Sequence, residues 1–370
     1  MKKQLNTALK TACESGVANG VCTGVSAAVS LVANKLRYRS VFACGRTRSD
    51  HLSRPVDTTT LFDLASLTKP LCTTLCTLAL IHAGRLSWDS ADLRELSVDT
   101  SPEKRAITIC DILHHASGLP AYRPYFQQFE PYAAPENMQR LQYLILAEPL
   151  VQPPGSKCLY SDLGFILLGR LLEQTTQQPL ARFFQQTVAD PLQLKQRLGF
   201  LPVNSIGQGQ KEEIAATELC PWRHRLIQGE AHDEHCWLMG GVAGHAGLFG
   251  TAEAVLALGE CLLDCWLGKR HHPAFSNRLL RHALEWSDTS GQWALGFDRP
   301  TPGQSSSGSY FSPRSVGHLG FTGTSLWMDP ERELVVVLLT NRVHPSRENL
   351  KIRSFRPFFH DYLIEKMGMA

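Results

Sequence analysis

The sequence has no C-x-x-C pair, and no Gly-Lys-Ser/Thr follows any of its Gly-x-x-Gly runs. The first absence removes zinc ribbons and thioredoxin-type redox sites, and the second removes a phosphate-cradling loop. No apolar run approaches the roughly 18 residues that a membrane-spanning helix needs. Charge is sparse and nearly balanced, at 19% Asp, Glu, Lys and Arg with a formal net charge of +3. No concentrated Lys/Arg stripe or basic-aromatic motif is present, so nucleic acid is not an expected partner. The longest basic cluster, Arg342 to Arg356, is interrupted by apolar residues and reads as a helix face. Internal repeats are absent.

The chain does have 11 cysteines, an odd number. Cys72 and Cys76, like Cys261 and Cys265, are spaced to share one helix face, where a thiol behaves as a small apolar group. Such unpaired cysteines fit a reducing compartment. Met1-Lys2-Lys3 is followed by a polar, amphipathic stretch, Gln4 to Glu14, instead of the apolar core of a signal peptide. The expected location is the cytoplasm, with the periplasm as the alternative.

With 370 residues, 43% of them hydrophobic, the composition is that of an ordinary globular chain. Residues 4–19 read as a helix, and the alternating Val25, Ala27, Val29 and Leu31 with the run Tyr38 to Ala43 read as a β-hairpin. Strands recur near the other end at His318–Gly320, Ser325–Met328 and Glu333–Leu339, with Asp329-Pro330 as the turn. Helices are expected to begin near Ser66, Thr108, Asp162, Thr251 and Asn277. Thr108 and Asp111 have the spacing of a capping box. The segment Gly268–Ser315 is rich in Gly, Pro and Ser and reads as a surface excursion. The expected fold is therefore α/β (α+β), an antiparallel sheet formed from both termini with an inserted, mainly helical region. It divides as a sheet part, 1–62 and 290–370, and a helical part, 63–289, with the site between them.

Three stretches carry chemistry. In Phe62-Asp63-Leu64-Ala65-Ser66-Leu67-Thr68-Lys69-Pro70, Ser66 and Lys69 fall on one helix face. A serine hydroxyl needs a base before it attacks, and a lysine serves once its ammonium is deprotonated. Pro70 suits a first helical turn, because its missing N–H has no partner there anyway. A second Ser-x-x-Lys, Ser101 to Lys104, lies in a charged stretch with no apolar helix behind it. The second element, Tyr160-Ser161-Asp162, precedes an apolar helix and places a phenol for proton transfer. The third, His318-Leu319-Gly320-Phe321, offers a backbone N–H beside a glycine that permits close approach.

In this order the three stretches resemble the signature motifs of serine β-lactamases and penicillin-binding proteins, class C branch, which read Ser-x-x-Lys, Tyr-x-Asn and Lys-Thr-Gly or His-Thr-Gly. Leu113 to Pro120 and Gly240 to Phe249 also resemble stretches of that branch, and the similarity runs from about residue 4 to 365. The resemblance implies a β-lactamase/transpeptidase-like fold and a serine hydrolase that needs no cofactor. It implies Ser66 as nucleophile, Lys69 and Tyr160 as proton carriers, and His318 as a cationic or hydrogen-bonding group. The backbone N–H groups of Ser66 and Phe321 would form the oxyanion hole. Asp162, Leu319, Gly320, His115 and His245 are the expected substrate-binding residues.

Two departures bear on substrate. Asp162 replaces an amide, so when ionised it accepts hydrogen bonds and donates none; it would pair with Lys69 or His318. Leu319 replaces a hydroxyl that in the family helps bind the carboxylate of penicillins and D-Ala-D-Ala ends. That argues against an efficient β-lactamase and for an esterase, a D-amino-acid peptidase or an amidase. Similar patterns occur in cell-wall turnover amidases that cleave muramyl-peptides. The partner is thus a small molecule or peptide; the rival reading is a non-catalytic binding protein on the same fold. His232 and His235 have chelating spacing but no identifiable third ligand, and no metal is expected. His114 and His115 read as a structural pair, His271 and His272 as a surface pair, and Arg342 and His344 as caps of the C-terminal helix or partners of the sheet.

Overall fold

The computed structural model describes residues 1–89, 91–96, 101–287 and 292–370. Its main sheet uses β1 (Gly24–Ala33), β2 (Leu36–Gly45), β3 (Trp293–Ala294), β4 (Phe297–Asp298), β5 (Val316–Leu319), β6 (Ser325–Asp329) and β7 (Leu334–Thr340). Their order is β2-β1-β7-β6-β5-β4-β3, with every pairing antiparallel. The first and last strands of the chain meet in the middle, in the register Val25↔Thr340 to Leu31↔Leu334. The architecture is mixed α/β with an antiparallel sheet from both ends of the chain.

Period-two alternation decides what each strand touches. Val25, Ala27, Val29 and Leu31 point with Leu334, Val336 and Leu338 into one core, while Ala28 joins Val335, Val337 and Leu339 in the other. On the first face lie α1 (Lys2–Ala18) and the C-terminal helix, α5 (Ile352–Lys366). Helix α1 buries Leu5, Ala8, Leu9, Ala12 and Cys13, a stripe of helical spacing. The other face is covered by α4 (Ala252–Trp266), with the helical region beyond it. β7 is buried along its whole length, so its Val and Leu run is apolar on both faces. Truncating one of these leucines to Ala costs about 2–5 kcal/mol by the usual cavity argument.

The helical region is organised around α2 (Leu75–His82) and α3 (Asp162–Thr176), whose buried faces share one core. α3 is capped by Ser161, whose hydroxyl accepts from Gly164 N–H. The capping box at Thr108 is present, Asp111 N–H donating to Thr108 and Thr108 N–H to Asp111. The division drawn from sequence at 289/290 lies outside the described residues, as does 288–291 of the expected surface excursion. The rest of that excursion corrects the expectation. The helix expected near Asn277 is present as Asn277–Glu285, but the strands β3 and β4, which were not expected, extend the main sheet beside β5. Trp293 and Phe297 are buried anchors whose signal was masked by the surrounding Gly, Pro and Ser.

His272 corrects another expectation. It is buried and stacks on Phe275, ring centroids 4.5 Å apart, while His271 stays at the surface. Neither Arg342 nor His344 caps α5. Arg342 donates to the carbonyls of Phe321, Arg347 and Asn349, and His344 bonds Ser49 and the Thr217 carbonyl. All 11 cysteines are free. Among the described residues no helix is long and apolar enough to cross a membrane.

Candidate active site

Ser66 sits in a tight 3-10 turn, Ala65–Leu67, that enters a wider π-wound segment, Lys69–Thr74, before α2. The sequence predicts a helix here; the structure adds the change of winding, a feature that clusters at functional sites. Pro70 lies in the first turn of the wide segment, where its missing N–H costs nothing. The turn is held by Asp63, which the sequence reading passed over. One Asp63 carboxylate oxygen accepts from Ala65 N–H at 2.8 Å and the other from His232 N–H at 2.7 Å. These bonds offset the strain of Ala65, whose φ of 47° is unusual for a residue with a Cβ.

The β5–β6 corner packs directly on this turn. Thr322 donates to Asp63 O at 2.7 Å, and Thr324 to Leu64 O at 3.2 Å. A Cβ on Gly320 would stand 2.6 Å from Leu64 O and 1.9 Å from Thr324 Oγ1, so no other residue fits that approach.

Ser66, Lys69, Tyr160 and Asp162 converge. Lys69 Nζ lies 3.0 Å from Ser66 Oγ, 2.6 Å from Asp162 Oδ1 and 3.3 Å from His245 O. It also sits 4.8 Å from the centre of the Tyr160 ring. The Lys69 side chain is wholly buried. Burial pushes its ammonium toward neutrality, but the Asp162 carboxylate and the Tyr160 phenol outweigh that, and its pKa is raised. Burial raises the Tyr160 phenol, with Lys69 and the Ser66 hydroxyl opposing incompletely, and Asp162 adding to the rise. At rest, therefore, both lysine and tyrosine hold their protons. Removal of one proton from the pair supplies a base next to Ser66 Oγ.

His318 lies across from them, its ring 6.0 Å from that of Tyr160. Burial and the Lys69 charge push its pKa down to about 3. The ring is neutral, Nδ1 donating to Leu319 O at 2.8 Å, which leaves Nε2 as an acceptor without a protein partner. Of the two alternatives for His318, burial beside Lys69 disfavours the cationic one and favours the hydrogen-bonding one. Among the described residues, the backbone N–H groups of Ser66 and Phe321 donate to no protein acceptor.

A cavity of about 620 Å³ opens onto this group, lined by Ser66, Tyr160, His318, Leu319, Gly320 and Phe321 among others. His115 and His245, expected in its wall, stand behind it. His115 is buried, accepts from Ser161 N–H at 3.1 Å and packs tilted against the Tyr160 ring, centroids 4.5 Å apart. His245 is buried and bonds Asp233 at 2.8 Å. Asp162 turns to Lys69 instead of the cavity. Trp293, from the segment read as a surface excursion, does line the cavity. His232 and His235 diverge, His232 to Glu218 and His235 to Phe126 N–H. The second Ser-x-x-Lys forms one short turn, with Ser101 Oγ unbonded and Lys104 outside the cavity.

Comparison with known proteins agrees with this architecture. The family model described as Beta-lactamase matches residues 9–355. A Salmonella agona protein named "Putative D-alanyl-D-alanine carboxypeptidase" is 30% identical over 332 residues, covering 81% of this chain and 74% of that protein. Among solved structures, a penicillin-binding protein homologue from Caulobacter crescentus superposes with a TM-score of 0.71 at 18% identity, covering 98% of this chain and 97% of its own. EstCE1, a hydrolase described as having promiscuous acyltransferase activity, superposes with a TM-score of 0.69 at 20% identity, covering 96% and 99%. The chain belongs to the β-lactamase family and is a serine hydrolase.

Proposed function

We propose that the chain cleaves an amide or ester through an acyl-enzyme on Ser66. The observation that carries this reading is the contact of Lys69 Nζ with Ser66 Oγ at 3.0 Å, under the ring of Tyr160. Once the Lys69–Tyr160 pair has lost one proton, it accepts the Ser66 proton as Oγ bonds to the substrate carbonyl carbon. The N–H groups of Ser66 and Phe321 bind the resulting oxyanion. The bond to the leaving amine or alcohol then breaks, and the pair returns the proton to that group. Water hydrolyses the ester and restores the Ser66 hydroxyl.

For substrate, the reading is a muramyl-peptide or a peptide with a D-amino acid. The D-alanyl-D-alanine carboxypeptidase name of the Salmonella relatives supports this class. Leu319 lines the cavity with an apolar side chain where the family has a hydroxyl, which weighs against efficient penicillin turnover. The test is a screen of p-nitrophenyl esters, D-amino-acid amides, penicillins and muramyl-peptides with wild type and Ser66→Ala. Turnover of muramyl-peptides or D-amino-acid amides, lost in Ser66→Ala, supports the reading; fast penicillin hydrolysis overturns the substrate class. The 11 free cysteines favour a cytoplasmic location, which fractionation of expressing cells tests.

A further inference from the structure

The stretch His232-Asp233-Glu234-His235 has the spacing of a metal pair, yet its side chains reach separate parts of the site. Asp233 accepts from His245 Nε2 at 2.8 Å, and the His245 carbonyl in turn accepts from Lys69 Nζ at 3.3 Å. Glu234 accepts from Arg347 at 2.6 Å. His232 makes two contacts that meet at the nucleophile. Its backbone N–H donates to Asp63 Oδ2 at 2.7 Å, and Asp63 holds the turn that carries Ser66. Its ring stacks on Phe321, with centroids 5.5 Å apart and planes 23° from parallel.

The two rings differ in how firmly they are held. His232 is 4% exposed, whereas Phe321, at the β5–β6 corner, is 48% exposed. Glu218 fixes the histidine, its carboxylate lying 3.0 Å from His232 Nε2. The same carboxylate accepts from Arg347 at 2.6 Å through Nη2 and at 2.8 Å through Nε. Burial opposes its charge, but the bonds from His232 and Arg347 outweigh burial and hold the Glu218 carboxyl down to about 2. Glu218 is therefore ionised near neutrality, and the imidazole donates Nε2–H to it. The Phe321 ring also meets Arg342, whose guanidinium carbon lies 4.5 Å from the ring centre and whose Nε donates to Phe321 O at 2.8 Å. The hydroxyls of Thr322 and Thr324 tie the corner's backbone to the nucleophile turn. His232 ties the Phe321 side chain to that same turn, through Asp63.

We propose that His232 is a positioning residue for acyl transfer, its ring stacked on Phe321 so that the Phe321 N–H stands where it and the Ser66 N–H bind one oxyanion. This rests on the acyl-enzyme reading above. A donor stabilises the oxyanion only within about 2.7–3.1 Å of it, so a small drift of the corner weakens the site. The Phe321 ring and N–H branch from one Cα, and a ring held against His232 restrains the rotation that would swing the N–H away. His232 neither touches substrate nor carries a proton in the reaction, because its ring is engaged by Glu218 and Phe321.

The experiment measures kcat/KM for p-nitrophenyl acetate and for its thionoester, in which sulfur replaces the carbonyl oxygen, each divided by its rate with free hydroxide. Sulfur is a weaker acceptor, so two aligned donors favour the oxygen ester and a loosened pair discriminates less. His232→Ala should slow the oxygen ester about ten-fold, short of the 10²–10³ that removing a donor costs, and should slow the thionoester less. His232→Phe retains a flat ring and should restore the preference for oxygen. Phe321→Ala keeps the N–H but deletes the ring; it should match His232→Ala, and the double variant should be no worse than either single one. Equal slowing of both esters is what a purely structural defect gives, and it overturns the proposal, as does additive loss in the double variant. Hydrolysis that is unchanged in Ser66→Ala overturns the acyl-enzyme reading and this proposal with it. Hydrolysis lost in Ser66→Ala, with an unaltered oxygen preference in His232→Ala, overturns the proposal alone.

Discussion

Lys69 and Asp162 form an ion pair at 2.6 Å in which the lysine is wholly buried and the carboxylate is 21% exposed. The family's motif has an amide at the position of Asp162, so this chain holds its candidate base in the protonated state more firmly. Asp162→Asn removes the main group that raises the lysine, and the Lys69 pKa falls. The acidic limb of kcat/KM should therefore move to lower pH in Asp162→Asn. A pH profile carried past the ordinary lysine value of 10.5 checks this; an unmoved limb would separate Lys69 from the rate-controlling ionisation.

The same pair makes a stability prediction. Removing one partner of a buried ion pair leaves a desolvated charge and typically costs about 3–5 kcal/mol, whereas removing both is far milder. Lys69→Met combined with Asp162→Asn should accordingly be more stable than Asp162→Asn alone, by denaturant unfolding. The direction with pH follows from the raised lysine: its contribution is complete below the unfolded lysine pKa and is lost as pH rises through the folded one.

Tyr160→Phe deletes the phenol hydroxyl but keeps the ring that packs tilted 4.5 Å from His115 and 5.6 Å from Trp293. Activity should fall by about 10²–10⁴, the usual worth of a positioned acid–base group, with the unfolding midpoint nearly unchanged. Steady-state kinetics with thermal melts distinguishes this from a packing defect.

How far the sequence reveals the molecule can be seen at particular residues. Ser66, Lys69, Tyr160 and His318 are legible because each lies in a short motif set at the start of a helix or on a strand. The terminal strands are legible because alternation and full burial leave a hydrophobic pattern along β1 and β7. Asp63 is not legible, since its work is to accept two backbone N–H bonds from residues 2 and 169 positions away. His115 and His245 look like site residues in a line of sequence, yet their partners, Ser161 N–H and Asp233, turn them inward. β3 and β4 escape notice because strands of two residues carry no period to read.

Gly320→Ala tests whether the β5–β6 corner must touch the nucleophile turn. The added methyl meets Leu64 O and Thr324 Oγ1 inside contact distance. Overpacking of this kind costs about 1–3 kcal/mol and pushes Phe321 N–H away from Ser66. Activity should collapse, and adding Thr324→Ala should not rescue it, because the Leu64 carbonyl remains.

Acid sensitivity follows from buried histidines. Burial pushes His318 and His360 down to about 3 and His272 to about 4, from an ordinary 6.5. The unfolded chain binds these protons first, so stability is full above pH 6.5 and declines as pH falls from there toward 4. Each histidine contributes a slope of up to about 1.4 kcal/mol per pH unit. Replacing His360, remote from the site, with Phe should flatten the decline between pH 6.5 and 5, measured by urea midpoints.

The most direct test is to treat the chain with an activated aryl phosphonate and map the modified peptide by mass spectrometry. The account predicts one stoichiometric adduct on the hydroxyl of Ser66, much slower in Lys69→Ala. An adduct on another residue, or undiminished labelling of Ser66→Ala, would contradict it.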